Sequence, residues 1–144
     1  MNNKMLKILF LCTGNSCRSQ MAEGMAKKYK AESVQAYSAG VEPKGIDKRA
    51  VTVMNEIDID ISSYRSKNVS ELMNIDFDYV ITLCGHARET CPIFPGKARI
   101  THAAFEDPPE LAENARDEEE ALYHYRKVRD QIKEFIETIP DSLA

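Results

Sequence analysis

Hydrophobic and polar positions along this chain follow two alternating rhythms. Short apolar runs at Leu6–Leu11, Val34–Ser38, Tyr79–Leu83 and Ala98–Thr101 predict strands. The first and third are nearly continuous, as in strands buried on both faces. Between and after them, apolar residues recur every three or four positions. Met21, Ala22, Met25, Ala26 and Tyr29 share one face of a helix that begins near Ser19, and Ala50, Val51, Met54 and Ile57 share one face of a second over Lys48–Ile57. A short third helix is predicted around Ser66–Met73. The longest covers Asp117–Ile139, with Ala121, Leu122, Tyr125, Val128, Ile132, Phe135, Ile136 and Ile139 inward. Its acidic first turn suits the helix dipole, and Pro140 follows its end.

Strands that alternate with helices predict an α/β fold, and right-handed crossovers leave few topologies for it. The expected architecture is a three-layer sandwich, with a four-stranded parallel sheet of order 2-1-3-4 flanked by helices. Residues 1–144 are expected to form a single domain. In that order the C-terminal ends of strands one and three are neighbours, where open α/β sheets bind ligands. Cys12 and Cys84 would then sit side by side. At 144 residues the chain can bury a sizeable core without disulfides or structural metal. There is no internal repeat, low-complexity tract or linker, and Glu106–Glu113 is an acidic, proline-containing loop.

Charge narrows the partners. With 19 basic and 23 acidic residues the net charge is −4, which favours neither nucleic acid nor an anionic membrane surface. An anionic substrate must therefore be captured locally. The apolar stretch Ile8–Cys12 is far too short for a signal segment or a membrane span, so a cytoplasmic location is expected; a monomer is expected as well. Four cysteines in such a chain point to reactive thiols or metal binding rather than a disulfide framework. Neither Cys12 with Cys17 nor Cys84 with Cys91 has the spacing of a zinc knuckle, and no metal site is expected.

Cys12-Thr13-Gly14-Asn15-Ser16-Cys17-Arg18-Ser19 carries the chemistry. A strand ending at Cys12 and a helix beginning near Ser19 leave a loop whose N–H groups, from Thr13 to Arg18, can converge on one tetrahedral anion, with the helix N-terminus adding its positive end. Arg18 offers a planar, bidentate fork for the anion's oxygens. The same field favours a thiolate, so Cys12 is the expected nucleophile. Cys17 is expected to pack beneath the cradle, with a Cys12–Cys17 disulfide as the lesser alternative. Asp107 could equally be a turn residue before Pro108, and Cys84 and Cys91 could be an ordinary strand-end cysteine and an unrelated loop cysteine.

Cys12–Ser19 with Met21-Ala22-Glu23, Ser38-Ala39-Gly40 and Asp107-Pro108 resembles the low-molecular-weight tyrosine phosphatase superfamily over almost the whole chain. Within it, Gln20, Thr82-Leu83-Cys84 and Cys91-Pro92 resemble the thioredoxin-coupled arsenate reductases. Phosphatases of this type usually carry proline where Gln20 stands, and often aromatic residues where Pro109 and Glu110 stand. The resemblance implies that Cys12 attacks arsenate, Arg18 and the loop stabilise the oxyanion, Ser19 hydrogen-bonds the thiolate, and Asp107 protonates the departing oxygen. It further implies a Cys12–Cys84 disulfide, then a Cys84–Cys91 disulfide reduced by thioredoxin. Seven residues of helix rise about 10 Å, whereas disulfide Cα atoms lie within roughly 7 Å. A helical Gly85–Thr90 would therefore have to unwind. Two other readings stay open: a phosphatase using Cys12, Arg18 and Asp107, and a non-enzymatic redox or oxyanion sensor.

Some reductases of this kind bind potassium beside the anion loop, and Asn15, Glu23 and Ser38 match part of that site. The remaining positions here hold Arg65 and Lys67, so no potassium site is expected. One of these two cations is expected to reach Glu23 instead.

Overall fold

The structure is a computed structural model that describes residues 5–85, 94 and 96–143. Four parallel strands, β1 (Leu6–Cys12), β2 (Val34–Gly40), β3 (Tyr79–Thr82) and β4 (Arg99–His102), lie in the order β2-β1-β3-β4. This is the expected 2-1-3-4 sheet. Ile8, Leu9, Phe10 and Leu11 are all fully buried. Because successive side chains of a strand point to opposite faces, both faces of the sheet are covered, which makes the three-layer sandwich. Each fully buried aliphatic side chain contributes roughly 1.5–3 kcal/mol.

Three α-helices of the expected series and one shorter one complete the described architecture: α1 (Arg18–Tyr29), α2 (Lys48–Asn55), α3 (Pro108–Leu111) and α4 (Glu118–Thr138). The helix predicted around Ser66–Met73 is a single 3-10 turn, Val69–Leu72, closed by a capping box in which Asn68 and Glu71 satisfy each other's backbone donors. The acidic loop at 106–113 contains α3, where Pro108 and Pro109 occupy positions that need no N–H donor. In α2 the buried face is Ala50, Val53 and Met54, with Val51 only half-buried. The last helix buries Ala121, Tyr125, Val128, Ile132 and Ile136 as its periodicity predicts, leaves Leu122 and Phe135 half-buried, and adds Arg129 to the buried face. Arg129 donates to the Val53 carbonyl at 2.8 Å and to Glu56 at 2.8 Å, so the charge ties α4 to α2 rather than lying unpaired.

Asp47 joins three parts of the molecule. It caps α2 by accepting from the N–H groups of Arg49 and Ala50, and its second oxygen accepts from the Tyr125 hydroxyl of α4 at 2.6 Å. Its own N–H donates to the Ser16 carbonyl at 3.0 Å. Burial, followed by this bond to Asp47, pushes the Tyr125 phenol far above its ordinary range, which keeps it a donor. The start of α2 is thus fixed to both α4 and the loop after β1.

Candidate active site

The loop after β1 takes its polarity from its carbonyls. Those of Cys12, Thr13, Gly14 and Ser16 accept from the N–H groups of Val41 (3.3 Å), Glu42 (2.8 Å), Lys44 (2.9 Å) and Asp47 (3.0 Å). The Asn15 carbonyl accepts from Gln20 Nε2 at 3.0 Å. With the carbonyls committed outward, the N–H groups of Thr13–Cys17 face the other way, and among the described residues none has a protein acceptor. Cys17 caps α1 without a side-chain hydrogen bond, so the first turn of that helix also keeps its donors for a ligand. Asn15 takes the left-handed conformation that the turn requires, at φ 48°.

Gly40 lets this loop close on β2. A Cβ there would meet the Thr13 carbonyl oxygen at 2.6 Å and the Asn15 nitrogen at 2.8 Å, both backbone atoms. Gly40→Ala should therefore cost about 1–3 kcal/mol as an overpacked site and weaken phosphate binding. Thermal melting with and without inorganic phosphate measures both, and an unchanged phosphate-induced shift would contradict the role assigned to Gly40.

Asn15 organises the floor of the cradle. Its Oδ1 accepts from the Lys67 N–H (2.9 Å) and from Gln20 Nε2 (2.9 Å). That fixes the amide's orientation and sends its two N–H bonds to Ser19 Oγ (2.8 Å) and Ser38 Oγ (3.0 Å). The Ser38 hydroxyl in turn donates to Glu23 Oε1 at 2.5 Å. Ser19 Oγ lies 3.0 Å from Cys12 Sγ. Since Ser19 already accepts from Asn15, its hydroxyl proton is available to the sulfur. Asn15, Ser19 and Ser38 are fully buried, so each bond in this chain is made away from water.

Arg18 and Asp107 meet at the rim. Arg18 Nη1 donates to the Phe105 carbonyl at 2.8 Å, and Nη2 stands 3.5 Å from Asp107 Oδ1. Asp107 sits at the N-cap of α3 yet makes no capping bond with its side chain. Its carboxylate is turned to Arg18 instead, which separates it from an ordinary turn aspartate. Cys84 lies just beyond β3, and its Sγ is 3.2 Å from the Thr13 hydroxyl. The neighbouring ends of β1 and β3 thus bring a second thiol to the residue beside Cys12, as the strand order predicts. Cys17 is buried; burial first, then Asp47 and Cys12, push its thiol well above the ordinary range. It packs beneath the cradle as a protonated thiol. Cys12 and Cys17 are both outside disulfides.

The low molecular weight phosphotyrosine protein phosphatase profile matches residues 7–144. The chain belongs to this family. An arsenate reductase of Halalkalibacterium halodurans is 45% identical over 142 residues, covering 99% of each chain. An arsenate reductase of Bacillus subtilis is 46% identical over 143 residues, covering 96% of this chain and 99% of its own. A solved arsenate reductase in its phosphate-binding state superposes with a TM-score of 0.77 at 32% identity, over 97% of this chain and 100% of that one.

Within this member of the phosphatase family, Cys12, the Thr13–Cys17 backbone, Arg18, Ser19, Cys84 and Asp107 come together at one end of the sheet. Cys91 and residues 86–90 of the segment Gly85–Thr90 lie outside the described residues. His102 Nδ1 bonds the Thr82 hydroxyl. Sequence reasoning missed the Thr13–Cys84 contact and the part played by Lys27, whose Nζ holds Glu23 Oε2. It also assigned Arg65 a chance of reaching Glu23. Arg65 is instead drawn to Glu71 at 2.7 Å, because the capping turn Val69–Leu72 presents that carboxylate beside it. Lys67 does approach Glu23, at 4.0 Å.

Proposed function

We propose that this protein reduces arsenate to arsenite by a three-thiol relay and takes its electrons from thioredoxin in the cytoplasm. The observation that carries this reading is the Cys84 thiol hydrogen-bonded to Thr13, one residue from the nucleophile, at the mouth of an oxyanion cradle. A phosphoester hydrolase needs the cradle and Cys12 but has no use for a second thiol there.

The inward N–H groups and Arg18 bind arsenate as they would any tetrahedral oxyanion. Cys12 sulfur attacks arsenic, and one arsenate oxygen leaves as water after protonation from Asp107 and solvent. Cys84 then attacks Cys12 sulfur: the S–S bond forms, the S–As bond breaks, and its electron pair stays on arsenic, which departs as arsenite. Cys91 attacks Cys84, moving the disulfide to Cys84–Cys91 and returning Cys12 as a thiolate. The two thiols of thioredoxin supply the electrons that reopen it.

Thr13 places Cys84 and can donate to its sulfur as that sulfur becomes a thiolate. Thr13→Val should slow the formation of arsenite in a single turnover by about tenfold, consistent with one lost hydrogen bond to a charged group, while Thr13→Ser stays close to wild type. Equal rates for the valine and serine variants would remove Thr13 from the reaction.

A second reading, phosphoester hydrolysis, is favoured by the pairing of Asp107 with Arg18, since the same acid can protonate an alcohol leaving group. One assay separates the two. With arsenate, thioredoxin, thioredoxin reductase and a reduced nicotinamide donor, arsenate-dependent oxidation of the donor is the expected result. Phosphoester hydrolysis with no such oxidation would replace the first reading by the second.

A further inference from the structure

Glu23 is a nearly buried carboxylate at the far end of the hydrogen-bond chain that leads through Ser38, Asn15 and Ser19 to Cys12. A buried carboxylate needs a counter-charge. Relatives that bind potassium here would supply it from solution, and the donor set of this chain does not fit that ion. Glu23 Oε2 is held by Lys27 Nζ at 2.5 Å, and Oε1 takes the Ser38 hydroxyl and faces Lys67 Nζ at 4.0 Å. Asn15 Oδ1 is taken by the Lys67 N–H and by Gln20, and the Arg65 carbonyl by Gln20 and Lys67 Nζ. Every oxygen that would ligate a cation already accepts from an N–H or O–H group. Two ammonium groups on one carboxylate also leave no negative charge to attract a third cation.

We infer that Lys27 and Lys67 are positioning residues that supply the counter-charge of Glu23 from within the chain, and so hold the oxyanion cradle in its binding shape without a metal ion. The two lysines come from different elements. Lys27 stands one helical turn after Glu23 on α1, the i, i+4 spacing in which such pairs meet, while Lys67 belongs to the loop whose backbone holds Asn15. Removing a lysine side chain leaves the Lys67 N–H bond to Asn15 in place, so the charge can be tested apart from the loop's backbone. Among the described residues, Tyr64, its ring 4.8 Å from Lys27 Nζ, and the Arg65–Glu71 ion pair near Lys67 are the other titratable groups that act on this cluster. Burial lowers Lys67 from the ordinary lysine range and Glu23 opposes that fall, whereas for Lys27 the bond and charge of Glu23 outweigh burial and raise it. Lys27 therefore carries the tighter charge. A surface cavity lined by Glu23, Lys27, Gln35, Tyr37 and Lys67 gives ions in bulk solution access to the cluster.

The inference requires only that the cradle bind a tetrahedral oxyanion, and it is independent of the thiol relay. The test is thermal melting of the full chain with inorganic phosphate, in sodium chloride and in potassium chloride at equal ionic strength, since a ligand of the folded state raises the melting temperature by mass action. Wild type should melt identically in the two salts and show the same phosphate-induced rise. In sodium chloride, Lys27→Ala and Lys67→Ala together should bind phosphate about tenfold more weakly, a coupling of ordinary size between adjacent sites. Potassium chloride should restore most of that loss by occupying the freed oxygens, and Lys67→Arg should keep wild-type binding. A potassium-specific rise in the wild-type melting temperature would overturn the inference. So would alanine variants that bind phosphate as wild type does in sodium chloride, or a loss that neither potassium nor arginine restores. If the double variant does not fold, the wild-type salt comparison and the two single alanine variants decide the matter. Wild type that shows no phosphate-induced rise would count against the oxyanion cradle itself, a failure distinct from this one.

Discussion

Cys84→Ser should lose arsenite formation by at least a thousandfold while keeping phosphoester hydrolysis within a few-fold of wild type. In the proposed relay the two electrons come from Cys12 and a second thiol as they join in a disulfide, and a serine hydroxyl cannot form the S–S bond that leaves the electron pair on arsenic. Hydrolysis draws only on the cradle, Cys12, Arg18 and Asp107. Serine can keep a hydrogen bond to the Thr13 hydroxyl, so the cradle should survive and the two activities should come apart. Both are measured on one preparation, with donor oxidation for the first and release of a chromogenic alcohol for the second. Equal loss of both would make Cys84 a packing residue of the strand end and remove the case for a relay.

Cys91→Ser should release one arsenite per enzyme molecule and then stop. Cys12 and Cys84 can still form their disulfide, but nothing within the chain resolves it. Rapid quenching should therefore show a burst of unit amplitude, and mass spectrometry of the product should find Cys12 and Cys84 joined. Sustained turnover by this variant with thioredoxin would show that the reductant attacks Cys12–Cys84 directly and that two thiols suffice.

Much of this architecture is legible in the chain itself, for reasons that differ from element to element. Ile8–Leu11 is recognisable because a strand buried on both faces must be apolar at every position, and the order of the sheet follows from handed crossovers that leave little choice. The long last helix is legible because it has 21 residues over which its period can repeat. Val69–Leu72 is not, since four residues carry no period and its 3-10 form is set by the Asn68–Glu71 cap. In the site, Cys12 to Ser19 announces itself by contiguous spacing. The contacts that cross the fold do not. Thr13 with Cys84 is separated by 71 positions and Ser38 with Glu23 by 15, and neither spacing has a signature in one dimension. Arg65 and Lys67 looked alike as cations near Glu23, yet a local cap claimed one of them, which only the folded turn could reveal.

The outward commitment of the loop carbonyls has a consequence for selectivity. A cage of backbone N–H groups and one guanidinium senses net charge and tetrahedral outline, and has no contact that distinguishes arsenic from phosphorus at the centre. Phosphate should enter as readily as arsenate and act as a competitor whenever it is abundant. Discrimination then falls to the covalent stage. In the proposed relay a sulfur–arsenic bond would surrender its electron pair to arsenic when Cys84 attacks, whereas a phosphocysteine has no accessible lower oxidation state at phosphorus and can only be hydrolysed. The protein would therefore choose its substrate by the redox character of the central atom after capture, and cellular phosphate would set the arsenate concentration at which that choice begins to matter.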